Sequence, residues 1–324
     1  MALAGANEAS AAAGVTTLAA SDPKVNWAGR TRVDSSAVSF DWLGVTARVQ
    51  VAGASYVSVT VTSDSDHRGT RLKAYTSDQG FMLSPQVQFW VPASGNPHNS
   101  TLLWTGSPSS RIITLENIVD PQYGTGITTV HSFQTDGQFT ALAAAAMQGG
   151  GPNGGTRRIE FIGDSITAAT NVVRPEGMTK GCGDGGYQSD WSQTYEGLLC
   201  HRFGASCSTI AVGGKCVMSE CGGLQMPDYF PGLFYKDAPH PTYKFGTWAP
   251  DAMFIDLGTN DMRGIAKVDK KTAGTGMQRF AQETLQFMIN ATQLYGKKDI
   301  QFFLNAGPME NTVSVSPPRL RSIS

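Results

Sequence analysis

The apolar residues of this chain change their period once, and the change coincides with its most glycine-rich stretch, Gln148-Gly149-Gly150-Gly151-Pro152-Asn153-Gly154-Gly155. Such a stretch offers almost no side chains from which to build a core and reads as a linker. Before it, from about residue 25 to 141, apolar and polar positions alternate. Val38, Phe40 and Trp42 are interleaved with Ser39 and Asp41; Val45, Ala47, Val49 and Val51 follow, then Val57, Val59, Val61, Tyr75 and the run Val87, Phe89, Val91. Short period-two runs separated by Gly, Ser, Asp and Pro clusters predict an antiparallel sandwich with one solvated face per sheet.

After the glycines the pattern is mixed. Residues 158–162, 208–212, 252–257 and 300–304 are short, nearly continuous apolar runs, the signature of parallel strands buried on both faces. Between them, residues 190–203 and 277–295 have helical spacing. In the first, Trp191, Tyr195, Leu198, Leu199 and Phe203 share a face, Asp190 with Gln193 forms a capping box, and Gly204 can end the helix. In the second, Phe280, Ala281, Leu285, Met288 and Ile289 lie on one side, with Gly296 beyond the end. Alternating strands and helices predict a doubly wound parallel sheet with helices on both faces. The expected organisation is an Ala-rich segment at 1–24, a β-sandwich at 25–142, a linker at 143–156 and an α/β domain at 157–324.

Composition excludes several classes. Twenty-five Lys and Arg against 26 Asp and Glu give a net charge of -1, so no basic footprint for nucleic acid exists. With 40% hydrophobic residues, the chain can bury a core. No apolar run approaches the roughly 20 residues that span a bilayer, and no membrane association is expected. A monomer is expected. The five cysteines, Cys182, Cys200, Cys207, Cys216 and Cys221, fall in one stretch without a C-x-x-C pair. That spacing argues against zinc and for disulfides of an exported protein, with the pairing open and one partner unaccounted for. The sequons Asn99-Ser100-Thr101 and Asn290-Ala291-Thr292 fit export, although the amino terminus is not a clear signal peptide.

Active sites of open parallel sheets lie at the carboxyl ends of the strands. The first strand ends in Gly163-Asp164-Ser165-Ile166-Thr167, where a glycine permits a tight turn and a serine follows it. The second ends in Val212-Gly213-Gly214-Lys215, whose backbone N–H groups can approach a ligand closely. The third ends in Gly258-Thr259-Asn260-Asp261, whose asparagine amide can donate to an anionic oxygen. Singly, each is an ordinary turn or helix cap; the information lies in all three, in order, at successive strand ends.

These blocks resemble those of the SGNH (GDSL-type) hydrolases. Residues 161–168, 193–214, 250–261 and 302–309 are similar to carbohydrate esterase family two, and Asn26-Trp27-Ala28-Gly29-Arg30 resembles the opening of that family's N-terminal jelly-roll. The resemblance implies a jelly-roll followed by an SGNH hydrolase domain, and removal of acetyl groups from xylan, glucomannan or smaller acetylated sugars without a cofactor or metal. It implies Ser165 as nucleophile, and Gly214 and Asn260, with the Ser165 N–H, as the oxyanion hole. The family motif around Gly214 differs at its first and last positions.

The resemblance also implies a histidine in an Asp-x-x-His block after the last strand. Residues 310–324 contain no histidine, so the hydrolase domain is expected to be C-terminally incomplete and this chain a weak or inactive esterase. The alternative is a non-catalytic carbohydrate-binding or interaction protein on the same scaffold. Of the histidines at 67, 98, 131, 201 and 240, the first three fall in the sandwich and His201 near a helix C-terminus. Asp237-Ala238-Pro239-His240 has the right spacing but precedes the asparagine block; triads do occur in different chain orders, which makes His240 with Asp237 an alternative candidate base, while chance in a Pro-rich loop accounts for the spacing more simply.

Overall fold

The computed structural model describes residues 14–65, 69–76, 86–92, 99–123, 125–143, 157–173, 188–218, 221–268 and 273–305. The Gly-rich stretch at 148–155, Cys182, His67, His98 and everything beyond residue 305 lie outside the described residues.

Ten antiparallel strands form the first region: β1 Thr16–Ala19, β2 Asn26–Ala28, β3 Arg32–Val33, β4 Val38–Phe40, β5 Thr46–Ser63, β6 Thr70–Thr76, β7 Gln86–Val91, β8 Asn99–Asn117, β9 Thr128–Thr135 and β10 Gln138–Thr140. Their backbone is β5, paired with β8 along most of its length and with β9 on its other side. Register shifts after Val51 and Val57 let so long a strand bend. The alternation is real at Val45, Ala47, Val49, Val51, Val57, Val59 and Val61, all buried. It misleads at Ser39 and Asp41, which are also buried. The Ser39 hydroxyl pairs with Thr129 on the neighbouring strand, and the Asp41 carboxylate accepts the Tyr235 N–H at 2.8 Å, so at Asp41 the second region covers a position expected to be wet. β1 lies within the 1–24 segment and pairs with β9, so the antiparallel region takes in residues before Val25.

The second region holds a parallel four-stranded sheet in the order β12-β11-β13-β14, from β11 Arg158–Gly163, β12 Ser206–Ala211, β13 Ala252–Asp256 and β14 Gln301–Leu304. Its helices are α1 Tyr195–Phe203, α2 Met226–Tyr229, α3 Thr259–Val268 and α4 Ala273–Tyr295. The helix expected from Asp190 is two pieces. Asp190 caps a 3-10 turn, Trp191–Gln193, by accepting the Ser192 N–H, and Thr194 caps α1 by accepting the Gly197 N–H at 3.3 Å. Gly204 ends α1 in the left-handed region (φ 57°), as its place in the sequence predicts. The break rotates α1, so Glu196, Gly197 and Cys200 are buried while Leu198 and Phe203 are exposed. On α4 the inward residues are Thr284, Phe287, Ala291 and Tyr295, and Leu285 and Ile289 face outward.

The two regions share one core. Val38, Phe40 and Trp42 belong to the same apolar cluster as Ile162, Ile210, Val212, Met253 and Ile255 of the parallel sheet. Polar groups pin the boundary. The Trp42 indole donates to Leu233 O at 2.9 Å, and Lys73 meets Asp190 at 2.7 Å with both side chains buried. Arg30 reaches Glu160 on β11 at 3.2 Å, donates to the carbonyls of Phe230 and Gly232, and lies over the Tyr243 ring. Such a pair adds little net stability, but removing one member strands the other charge at about 3–5 kcal/mol.

Candidate active site

The nucleophile candidate sits in a turn held by its own neighbours. β11 ends at Gly163, where a Cβ would fall 1.9 Å from Thr167 Oγ1, so the return of the chain requires glycine. The Asp164 N–H donates to Asp256 O at 3.3 Å, its carboxylate accepts the Ile166 N–H at 3.0 Å, and its carbonyl accepts the Ala168 N–H at 2.8 Å. Ser165 is thereby carried half-buried past the sheet edge, its carbonyl accepting the Thr170 N–H. Its hydroxyl makes no hydrogen bond among the described residues. Just beyond, Ala169 (φ 59°) and Asn171 (φ 60°) hold left-handed conformations. That cost at the buried Ala169 is tolerated only where the surroundings fix the backbone.

The second strand end is a turn closed by the Lys215 N–H on Val212 O. Gly214 occupies its left-handed position (φ 75°), is exposed, and has open space where a side chain would project. The third strand end leads directly into α3, which places Asn260 in the helix's first turn. Asn260 joins the three loops, its amide donating to Asp164 at 3.0 Å and to Lys215 O at 3.1 Å. Ser165, Gly214 and Asn260 therefore stand at adjoining strand ends. Both amide hydrogens of Asn260 are engaged by the protein in this state.

Two carboxylates in these motifs carry structure that the sequence did not assign. Asp164 is the bridge just described. Asp261, fully buried, accepts the N–H groups of Val217 and Met218 (3.1 and 2.9 Å) and fixes the chain after Lys215. A carboxylate following each motif's functional residue or preceding it is the signal that could have flagged both. Behind Ser165, the Tyr195 hydroxyl lies 3.3 Å from Thr167 Oγ1 and 3.4 Å from Asp256. Burial raises the carboxyl of Asp256 above the usual range and pushes that of Glu196 up to about 8.

Neither Asp237 nor His240 hydrogen-bonds Ser165, Gly214 or Asn260 among the described residues. The Asp237 carboxylate closes its own turn, accepting the Phe234 N–H at 2.9 Å and the Thr242 hydroxyl. His240 is exposed and meets Asp237 only through its backbone N–H, at 2.7 Å from Asp237 O. His201 is turned to the antiparallel region, its ring 3.2 Å from the Tyr75 hydroxyl and 3.5 Å from Glu116. His131 contacts Thr62. Among the described residues no group of His, Cys, Asp and Glu is arranged to hold a metal ion. Disulfides join Cys200 to Cys207 and Cys216 to Cys221, the second immediately after the Gly214 turn.

No protein-family model matches the chain. It is 23% identical over 299 residues to an acetylxylan esterase / glucomannan deacetylase of Cellvibrio japonicus (strain Ueda107), across 85% of this chain and 72% of that protein. Among solved structures, a family two carbohydrate esterase from Cellvibrio japonicus superposes with a TM-score of 0.64 at 18% identity, covering 93% of this chain and 91% of that one. A family two carbohydrate esterase from Clostridium thermocellum in complex with cellohexaose gives 0.65 at 19% identity, over 88% and 78%. The mixed α/β fold with its parallel sheet is thus like that of the family two carbohydrate esterases.

Proposed function

We propose that this chain is built as a serine esterase that removes acetyl groups from acetylated plant-type polysaccharides or sugars. The observation that carries the reading is the convergence of Ser165, Gly214 and Asn260 at three neighbouring strand ends, tied together through the Asn260 amide. Ser165 attacks the acetyl carbonyl, its proton leaves to a base, and the tetrahedral oxyanion is held by the N–H groups of Ser165 and Gly214. The Asn260 amide joins them by giving up one of its ground-state acceptors. Collapse of the tetrahedral intermediate breaks the ester bond to the sugar, whose oxygen takes the proton from the base, and leaves an acetyl-serine; water then attacks this, giving its proton to the base, and releases acetate with the serine hydroxyl restored. The resemblance to esterases active on xylan and glucomannan supports the substrate class.

In this reading the antiparallel region is a jelly-roll that starts with β1 at Thr16 and runs to about residue 142, joined through 143–156 to a doubly wound hydrolase domain. The protein is a secreted monomer whose partner is acetylated carbohydrate, and its disulfides support the oxidising compartment. Neither nucleic acid nor membrane enters its function; among the described residues no helix is long and apolar enough to cross a bilayer.

Among the described residues no histidine hydrogen-bonds Ser165, a geometry that favours weak hydrolysis over fast turnover. The Ser165 hydroxyl, without a hydrogen bond among the described residues, and the engaged Asn260 amide favour a second reading, a carbohydrate-binding protein on the same scaffold. Turnover of an aryl acetate by the purified chain separates the two. Activity abolished in Ser165→Ala supports the esterase. Sugar binding without turnover, equal in wild type and Ser165→Ala, supports the binder.

A further inference from the structure

The turn that presents Gly214 is held on one side by its own region: Val212 donates to Gly163 O, Lys215 O receives Asn260, and Asp261 fixes Val217 and Met218. Its middle is held from elsewhere. The connection between β8 and β9 of the antiparallel region carries a 3-10 turn, Pro121–Tyr123, preceded by Asp120, which is fully buried. One oxygen of Asp120 accepts the Gln122 backbone N–H at 2.9 Å and the other the Gln122 side-chain amide at 2.7 Å. That amide lies on Gly213, where a Cβ would meet the Gln122 Nε2 at 2.3 Å. The Gly213 N–H also faces the Asp120 carboxyl, which burial pushes up to about 7 while these N–H groups hold it down.

We infer that Asp120, acting through Gln122, is a positioning residue for the oxyanion turn: the antiparallel region folds Gln122 against Gly213 and so sets the direction of the Gly214 N–H. A carboxylate that merely caps a short turn needs one oxygen on the backbone N–H two residues on. Here the second oxygen folds back a side chain that is only half-buried and would otherwise lie in water. The folded-back amide leaves room at position 213 for a hydrogen and nothing larger. The inference rests on the reading of Gly214 as an oxyanion donor, and it makes the first region part of the reaction centre.

The test uses the full chain as wild type, Asp120→Asn, and Gln122→Ala, the last chosen because it removes the half-exposed amide while Asp120 keeps the Gln122 backbone N–H. Two readouts are taken, amide hydrogen exchange and chemical shifts at Gly213 and Gly214, and aryl acetate kinetics. In both variants the two glycine amides are expected to shift and to exchange about tenfold faster, with β11 amides unchanged, because a lost hydrogen bond opens the turn locally. The value of kcat is expected to fall about tenfold or more with KM held, since a misdirected donor is missed only in the transition state. Glycine amides that stay unchanged in both variants overturn the proposal. So does an unchanged kcat beside a lowered melting temperature, the result for a plain turn cap. If the wild type shows no turnover, the esterase reading is what fails, and the glycine amides alone decide whether the clamp exists.

Discussion

The turn bearing Ser165 and the turn bearing Gly214 face each other across one sheet edge, yet they are held in opposite ways. The first is closed chiefly by residues within its own octet, Asp164 to Ile166, Asp164 to Ala168 and Ser165 to Thr170, with Asp256 and Asn260 reaching it only at Asp164. The second is held by residues about 45 and 90 positions away, Asn260 and Asp261 on one side and Asp120 with Gln122 on the other. A nucleophile can be placed by local chemistry, because a turn after a strand needs only a glycine and an Asx bond. An oxyanion donor has to be aimed at a point defined by another loop, and only tertiary contacts fix that direction.

The contrast can be broken by substitution. The largest effect is expected from the distant clamp. The folded Asp120 carboxyl titrates near 7, above its ordinary 3.8. Its contribution is therefore fully present below about pH 4 and is lost as pH rises through 7, a change of roughly 4 kcal/mol for a group so buried. Measured by denaturant unfolding from pH 4 to 8, wild type should lose stability relative to Asp120→Asn over that window; parallel curves would mean that the carboxyl is not buried in solution. Next comes Gly163→Ala, whose methyl would overlap Thr167 in the self-contained turn. A loss of about 1–3 kcal/mol is expected, as for overpacking, together with a displaced serine. Gly214→Ala is the smallest, about 1 kcal/mol, from the left-handed backbone alone, since open space receives the methyl. A larger stability loss at 214 than at 163 would invert the comparison.

What could be read from the sequence follows the same division. The strand ends with Ser165, Gly214 and Asn260 were legible because each lies in a short motif after an apolar run. Gly204 was legible as a helix stop because left-handed geometry singles out glycine. Asp120 and Gln122 were not, since a D-x-Q in a β connection has no local signal and acquires its role only when Gly213 arrives beside it. Helix faces misled where tertiary structure overrode the period. Thr194 recapped α1 and left Leu198 and Phe203 outside, while Glu196 went inside. Ser39 and Asp41 looked like a wet face and are buried, Ser39 against Thr129 of the neighbouring strand and Asp41 against Tyr235 of the second region.

Arg30 carries the last consequence. Its guanidinium leaves the second antiparallel strand's turn and ends among the Tyr243 ring, two carbonyls and Glu160, which lies at the centre of the parallel sheet. Separating the two regions would take away the counter-charge of Glu160 and leave it only its contacts from Ser208 and Tyr295. The two halves are therefore not interchangeable modules that could be shuffled onto other partners. They should melt in a single transition, and any lineage that exchanged one half would have to rebuild the seam with it.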